Sequence, residues 1–182
     1  MKILAIVGSM RDGNSNYLVN EAIRQIQGKK SIRIDKIHLK DISMNFCNGC
    51  LICDETGSCV FNDDLSALIS EIRNTDAFIM ATPARWGLLS GEMKTFIDRL
   101  NPLAMKEELK GKKTIIIAVG QSESNESRSI ELAAKSIETF CSDAGIEVVD
   151  TIIVCGCYEK DDAKKQKDYI EKCSMAMQRL IE

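Results

Sequence analysis

The 182-residue sequence contains a single histidine, His38, and no nucleophile is placed with it for a catalytic triad. Triad chemistry is therefore set aside, and packing or solvent contact is the expected role of that ring. An excess of basic charge is missing too. Lysine and arginine total 24 against 27 aspartates and glutamates, for a net charge of −3 with the signs interspersed. That leaves no basic face for nucleic acid or an anionic membrane. Long apolar runs are also absent. Met1-Lys2 leads straight into an apolar stretch of about six residues, too short for a signal peptide or a membrane span, so a cytoplasmic location is expected. Repeats, low-complexity tracts and linkers are not found either. The expectation is one domain over residues 1–182, interrupted only by a cysteine-rich insertion at about 40–62.

Cysteine is what the chain does have, eight in all. Cytosolic thiols are kept reduced, so a disulfide framework is not expected. Half of the cysteines fall between Cys47 and Cys59, which points to metal or redox chemistry.

Lys2 to Gly8 is a continuous apolar run, the pattern of a strand buried on both faces of a parallel sheet. A polar loop from Ser9 to Ser15 follows. From Asn16, Leu18, Val19, Ala22, Ile23 and Ile26 fall at helical spacing, with Gly28 as the stop. Ser31 to Leu39 alternates as a strand nearer an edge. Asp63-Asp64 opens a helix with Leu65, Leu68, Ile69 and Ile72 on its apolar face, and capping with dipole complementarity explains this acidic pair. Asp76 to Ala81 is a second buried strand. A loop to Ser90 and a helix through Met93, Phe96, Ile97 and Leu100 come next. Thr114–Val119 and Val148–Val154 are the remaining strands. Between them runs a helix from about Arg128 to Ala144, and Asp162 to Ile181 is the last helix. Strands alternating with helices in this way specify a doubly wound parallel α/β sheet with helices on both faces. The expected order is 2-1-3-4-5 over five strands, with a ligand crevice at the carboxyl ends of strands one and three.

The first loop, Gly8-Ser9-Met10-Arg11-Asp12-Gly13-Asn14-Ser15-Asn16, ends at that crevice. Its small and hydroxyl residues let backbone N–H groups turn inward, and Arg11 offers a fork suited to phosphate. It lacks the Gly-Lys-Ser/Thr ending of a Walker A loop and is not a G-x-G-x-x-G dinucleotide loop. A plain helix cap, with Asn14 or Ser15 at the cap position, is the other reading.

G-S-x-R-x-G-N-S after the first strand resembles the phosphate loop of the NADPH-dependent FMN reductase branch of flavodoxin-like proteins. The segment from Thr82 to Arg99, with Pro83-Ala84-Arg85-Trp86-Gly87 at its start, resembles that family's flavin-ring loop and following helix. The resemblance implies a flavodoxin-like fold and bound FMN. Its phosphate would lie at Ser9, Arg11, Asn14, Ser15 and Asn16. Its ring would lie against Pro83, Ala84, Arg85, Trp86 and Gly87, with Gly120 and Gln121 approaching from the other side. Arg85 stands where the family usually has Tyr. A guanidinium there stacks on the flavin or favours its anionic reduced form, or else marks a subunit contact.

Cys47, Cys50, Cys53 and Cys59 form C-x2-C-x2-C-x5-C. Two-residue gaps let three thiolates converge, and the fourth arrives after a turn at Thr56-Gly57-Ser58. Four thiolates at such spacing suit a 4Fe–4S cluster. The last gap departs from ferredoxins, where it is three residues and Pro follows. The motif instead resembles that of the iron–sulfur flavoproteins of the same fold. Zinc and free thiols are the competing readings, zinc fitting a tight triplet less well. Cys141, Cys155, Cys157 and Cys173 are expected to be core or surface thiols.

These readings make the chain an FMN-dependent oxidoreductase or electron-transfer protein in which a cluster exchanges single electrons with FMN. The donor is left open between NAD(P)H and a single-electron carrier such as ferredoxin, and the resemblance implies a homodimer or homotetramer. A cluster-free NAD(P)H-dependent FMN or quinone reductase is the first alternative, with NAD(P)H as substrate. A non-catalytic electron carrier or thiol redox sensor is the second. No second nucleotide-binding fingerprint is present, so NAD(P)H rests on the resemblance alone.

Overall fold

In the computed structural model, described for residues 1–123 and 128–182, five parallel strands lie in the order β2-β1-β3-β4-β5. They are β1 (Lys2–Val7), β2 (Arg33–His38), β3 (Ala77–Pro83), β4 (Lys113–Val119) and β5 (Glu147–Val154). This is the expected order. β1, β3 and β4 are interior, and their residues are almost wholly buried. β2 and β5 are the edges, which is why their burial is mixed and why the β2 sequence alternates rather than running apolar.

Period-two alternation splits the interior strands between two cores. Leu4, Ile6, Phe78, Met80, Ile116 and Ala118 face one side. They pack there with α3 (Asp64–Arg73), α4 (Gly91–Asp98) and α6 (Ser129–Ala144). Ile3, Ala5, Val7, Ile79, Ile115 and Ile117 face the other, against α1 (Asn14–Arg24) and α7 (Lys167–Leu180). Each large apolar side chain so buried contributes about 1.5–3 kcal/mol. A one-turn helix, α2 (Ile52–Thr56), lies in the cysteine segment, and a short α5 (Asn101–Ala104) follows α4.

Strand ends shift by one or two residues from the sequence reading, and three larger differences stand out. α1 starts at Asn14 and ends at Arg24, and Gly28 instead takes φ +92° in the turn leading to β2. The connection over 40–62 contains the α2 turn. The last helix does not begin at Asp162: a 3-10 turn, Asp162–Lys165, precedes α7. There the Asn14 side chain accepts the Ala163 N–H at 3.0 Å, tying the turn to the first loop rather than to the helix.

Between β1 and β3 the chain reverses direction across the sheet. The loops at their carboxyl ends therefore diverge to opposite faces and open a crevice.

Candidate functional site

The crevice is a cleft of about 750 Å³ at the carboxyl edge of the sheet. Ser9, Arg11, Asn14 and Ser15 line it from the first loop, and Pro83, Ala84, Arg85 and Trp86 from the loop after β3. Gly120 and Gln121 line it from the loop after β4. Two expected residues do not line it. The Asn16 side-chain amide oxygen accepts a hydrogen bond at 3.1 Å from the Lys36 ammonium on β2. Gly87 gives its N–H to the Ser129 hydroxyl at 3.0 Å, fixing the turn rather than facing the cleft.

The first loop is held from below. The Ser9 hydroxyl donates to the Arg11 carbonyl at 3.0 Å and accepts the Arg11 N–H at 3.2 Å. Ser90 donates to the Gly8 carbonyl and accepts the Met93 N–H at 3.2 Å, so one hydroxyl both caps α4 and ties it to the end of β1. A Cβ on Gly8 would meet Met93 at 3.0 Å, so the small residue permits this approach. His38 is buried, with Nε2 against the Ser9 carbonyl and Nδ1 3.3 Å from Asp12. The only histidine thus supports the loop, a more specific role than packing. Asp12 also pairs with Lys40 at 2.6 Å, which holds its carboxyl below the usual range.

Neither Asn14 nor Ser15 caps α1. Gly13 occupies the cap position and makes no side-chain cap hydrogen bond, and among the described residues no other side chain accepts from the first turn. The N–H groups of that turn and the positive end of the helix are left to whatever enters the cleft.

At the other end, Arg85 and Leu88 exchange backbone hydrogen bonds of 2.8 and 3.0 Å around Trp86 and Gly87. Both central residues have positive φ, +52° and +80°, the geometry of a tight primed turn. Trp86 is fully exposed at its tip. Gly120 admits no side chain, since a Cβ there would lie 2.5 Å from Ile130.

Sequence reasoning missed the contribution of the segment after β5, from which Cys157 and Lys160 line the cleft. Burial pushes the Cys157 thiol up to about 11. The signal available was position, because the end of β5 must lie at the same sheet edge as the other loops.

The cysteine segment is closed at its base by one buried ion pair. Arg99 donates to Asp63 at 2.7 and 3.0 Å, to the Asn45 carbonyl at 2.8 Å and to the Ser66 hydroxyl at 2.9 Å. Its guanidinium stacks 4.9 Å from the Phe61 ring centre. Asp63 also caps α3 and accepts the Asn45 N–H at 2.9 Å. The Arg99 guanidinium holds the Asp63 carboxyl far below the usual carboxylate range. Between these anchors Gly49, Leu51 and Gly57 all take left-handed φ, turning the chain at each gap between cysteines. Cys47 and Cys50 are exposed, Cys59 is half-buried, and Cys53 is buried on α2. The Asn101 amide lies 3.2 Å from the Cys53 sulfur. The donor types and spacing suit a thiolate-held cluster, and left-handed turns of this kind aim backbone N–H groups at an anionic centre. Among the described residues, however, no three His, Cys, Asp or Glu side chains converge as a metal site.

A family described as NADPH-dependent FMN reductase matches residues 1–137 of the chain. The chain belongs to that family. An iron–sulfur flavoprotein of Archaeoglobus fulgidus is 34% identical over 113 residues, covering 62% of this chain and 51% of that protein. An iron–sulfur flavoprotein of Methanocaldococcus jannaschii is 35% identical over 123 residues, covering 67% of this chain and 63% of its own length. The matches thus span about half to under two thirds of these relatives. Among solved structures, an apo NADH:FMN oxidoreductase superposes with a TM-score of 0.66 at 22% identity, covering 96% of this chain and 89% of that one. It shares the fold. No helix among the described residues is long and apolar enough to cross a membrane.

Proposed function

We propose that this member of the NADPH-dependent FMN reductase family is a flavin-dependent oxidoreductase that binds FMN in the cleft and passes electrons through it. The observation that carries this reading is the uncapped N-terminus of α1, which opens with Arg11 into a 750 Å³ cleft at the switch point of the sheet. Arg11 and the first-turn N–H groups of α1 hold the phosphate, with Ser9 and Ser15 beside them. Pro83, Ala84 and Gly120 wall the ring site, and Arg85 and Trp86 stand at its mouth. FMN when bound accepts a hydride or two electrons and releases them singly, while the protein supplies orientation and electrostatics.

The finer reading is that Cys47, Cys50, Cys53 and Cys59 hold a 4Fe–4S cluster, with a ferredoxin-like carrier as single-electron donor. The number and spacing of the thiols, the left-handed turns between them and the likeness to iron–sulfur flavoproteins support it. A homodimer or homotetramer fits the exposed Trp86, Leu88 and Leu132 near the cleft mouth. The second reading is a cluster-free NAD(P)H-dependent FMN or quinone reductase. It is favoured by the lack of convergence among the described cysteine side chains.

Anaerobic purification with a visible spectrum and assays of iron and acid-labile sulfide separates the two. Flavin bands with about four irons and four sulfides per chain support the cluster. Flavin bands without iron or sulfide, together with NAD(P)H oxidation, select the second reading. A colourless protein that takes up no added FMN overturns both.

A further inference from the structure

The segment after β5 is fastened to the cleft at both ends. On one side the Cys157 N–H donates to the Gly120 carbonyl at 2.9 Å, and the Gly156 N–H to the Ser122 carbonyl at 2.8 Å. On the other, the Asn14 side chain uses both ends of its amide. Its NH2 donates to the Glu159 carbonyl at 2.7 Å, and its oxygen accepts the Ala163 N–H at 3.0 Å. Asn14 is thereby committed to this segment. Lys160 sits inside the span that it clamps, and Lys160 lines the cleft together with Arg11.

The neighbouring charges leave these two cations available. Asp12 is paired with Lys40 at 2.6 Å, Asp161 with Lys164 at 2.7 Å and Asp162 with Lys165 at 2.8 Å. Among the described residues, neither Arg11 nor Lys160 belongs to an ion pair. The Lys160 ammonium is nevertheless close enough to Asp12 and Asp161 to help hold both carboxyls below their usual range. Two available positive charges match a phosphate monoester, which carries about −1.5 to −2 at neutral pH.

We infer that Lys160 recognises the flavin 5′-phosphate and makes the cleft select phosphorylated over unphosphorylated flavin, and that Asn14 is the positioning residue that brings it there. The inference rests on the FMN reading above. Asn14 then serves as a latch rather than a ligand, and the segment after β5 supplies a phosphate-recognising residue.

The test measures dissociation constants of the full-length chain, freed of flavin, for FMN and for riboflavin by quenching of flavin fluorescence at low and moderate salt. Lys160→Met is expected to weaken FMN roughly tenfold, the worth of one charge-assisted hydrogen bond. Riboflavin affinity should stay unchanged, and the salt dependence of FMN binding should become shallower. Lys160→Arg should keep the wild-type preference, and Asn14→Ala should lower it. A Lys160→Met protein that retains the wild-type ratio of the two constants overturns the inference and leaves the FMN reading standing. Equal loss of both flavins overturns it too, because it marks a merely structural role. A wild-type chain that binds neither flavin overturns the FMN reading, and this inference with it.

Discussion

Arg99 and Asp63 stand 36 positions apart and carry the cysteine segment between them in space. Half of this pair was legible in the sequence: an acidic residue opening an apolar-periodic helix reads as a cap, and Asp63 is one. The other half was not, since nothing in the local sequence around Arg99 marks a partner so far away. Leaving either charge buried without the other costs about 3–5 kcal/mol. Arg99→Met should destabilise by that order in urea unfolding, and Arg99→Lys by less, because a single ammonium cannot reproduce the fork. The pair also sets acid sensitivity. Asp63 has a folded pKa below its unfolded value of about 3.9. Its stabilisation is therefore full above that value and fades as pH falls below it. Asp63→Asn should start from lower stability near neutral pH but lose less of it between about pH 4 and 2.

Elements were more legible than the turns that aim them. Continuous apolar runs marked β1, β3 and β4, and alternation marked β2, because burial on two faces or one is written directly in residue type. The start of α7 was misplaced because Asp162 and Lys165 have good helical sequence around them. A long-range hydrogen bond from the Ala163 N–H to the Asn14 side chain holds a 3-10 turn there instead. α6 and α7 each bury a thiol against the sheet, Cys141 and Cys173, and burial pushes each up to about 12. Unfolded thiols ionise near pH 8.5, so both cysteines stabilise the folded state fully below that pH. That contribution is lost as pH rises toward 12, at up to about 1.4 kcal/mol per pH unit for each thiol. Cys173→Ala should flatten the fall in melting temperature between pH 9 and about 11, measured by circular dichroism against the parent.

At the scale of the whole molecule, the sheet order and the position of the cleft followed from the alternation of strands and helices alone. What the cleft holds rests on loops, where sequence reading placed the contributions of the loops after the first, third and fourth strands but not that of the fifth. A ligand that binds only the folded chain stabilises it by mass action. Saturating FMN at about 100 times its dissociation constant should therefore add about 2.7 kcal/mol to unfolding. Differential scanning calorimetry with and without FMN checks this, and an unchanged transition would remove the cleft from consideration as a flavin site. The exposed indole at the tip of the Arg85–Leu88 turn carries a second expectation at this scale. Trp86→Ser should shift sedimentation toward the monomer if that surface is covered by another copy of the chain.

The closure of the cysteine segment at its base has an evolutionary consequence. Asn45 and Asp63 are in direct hydrogen bond with each other, so the ends of the intervening chain already meet on the sheet's own framework. Replacing that stretch with a linker a quarter as long would change the cost of closing the loop by only about 1.2 kcal/mol. None of the five strands would need to move. A segment held this way is a cassette: its length and its thiols can be changed by insertion or deletion while the flavodoxin-like sheet beneath it keeps its register.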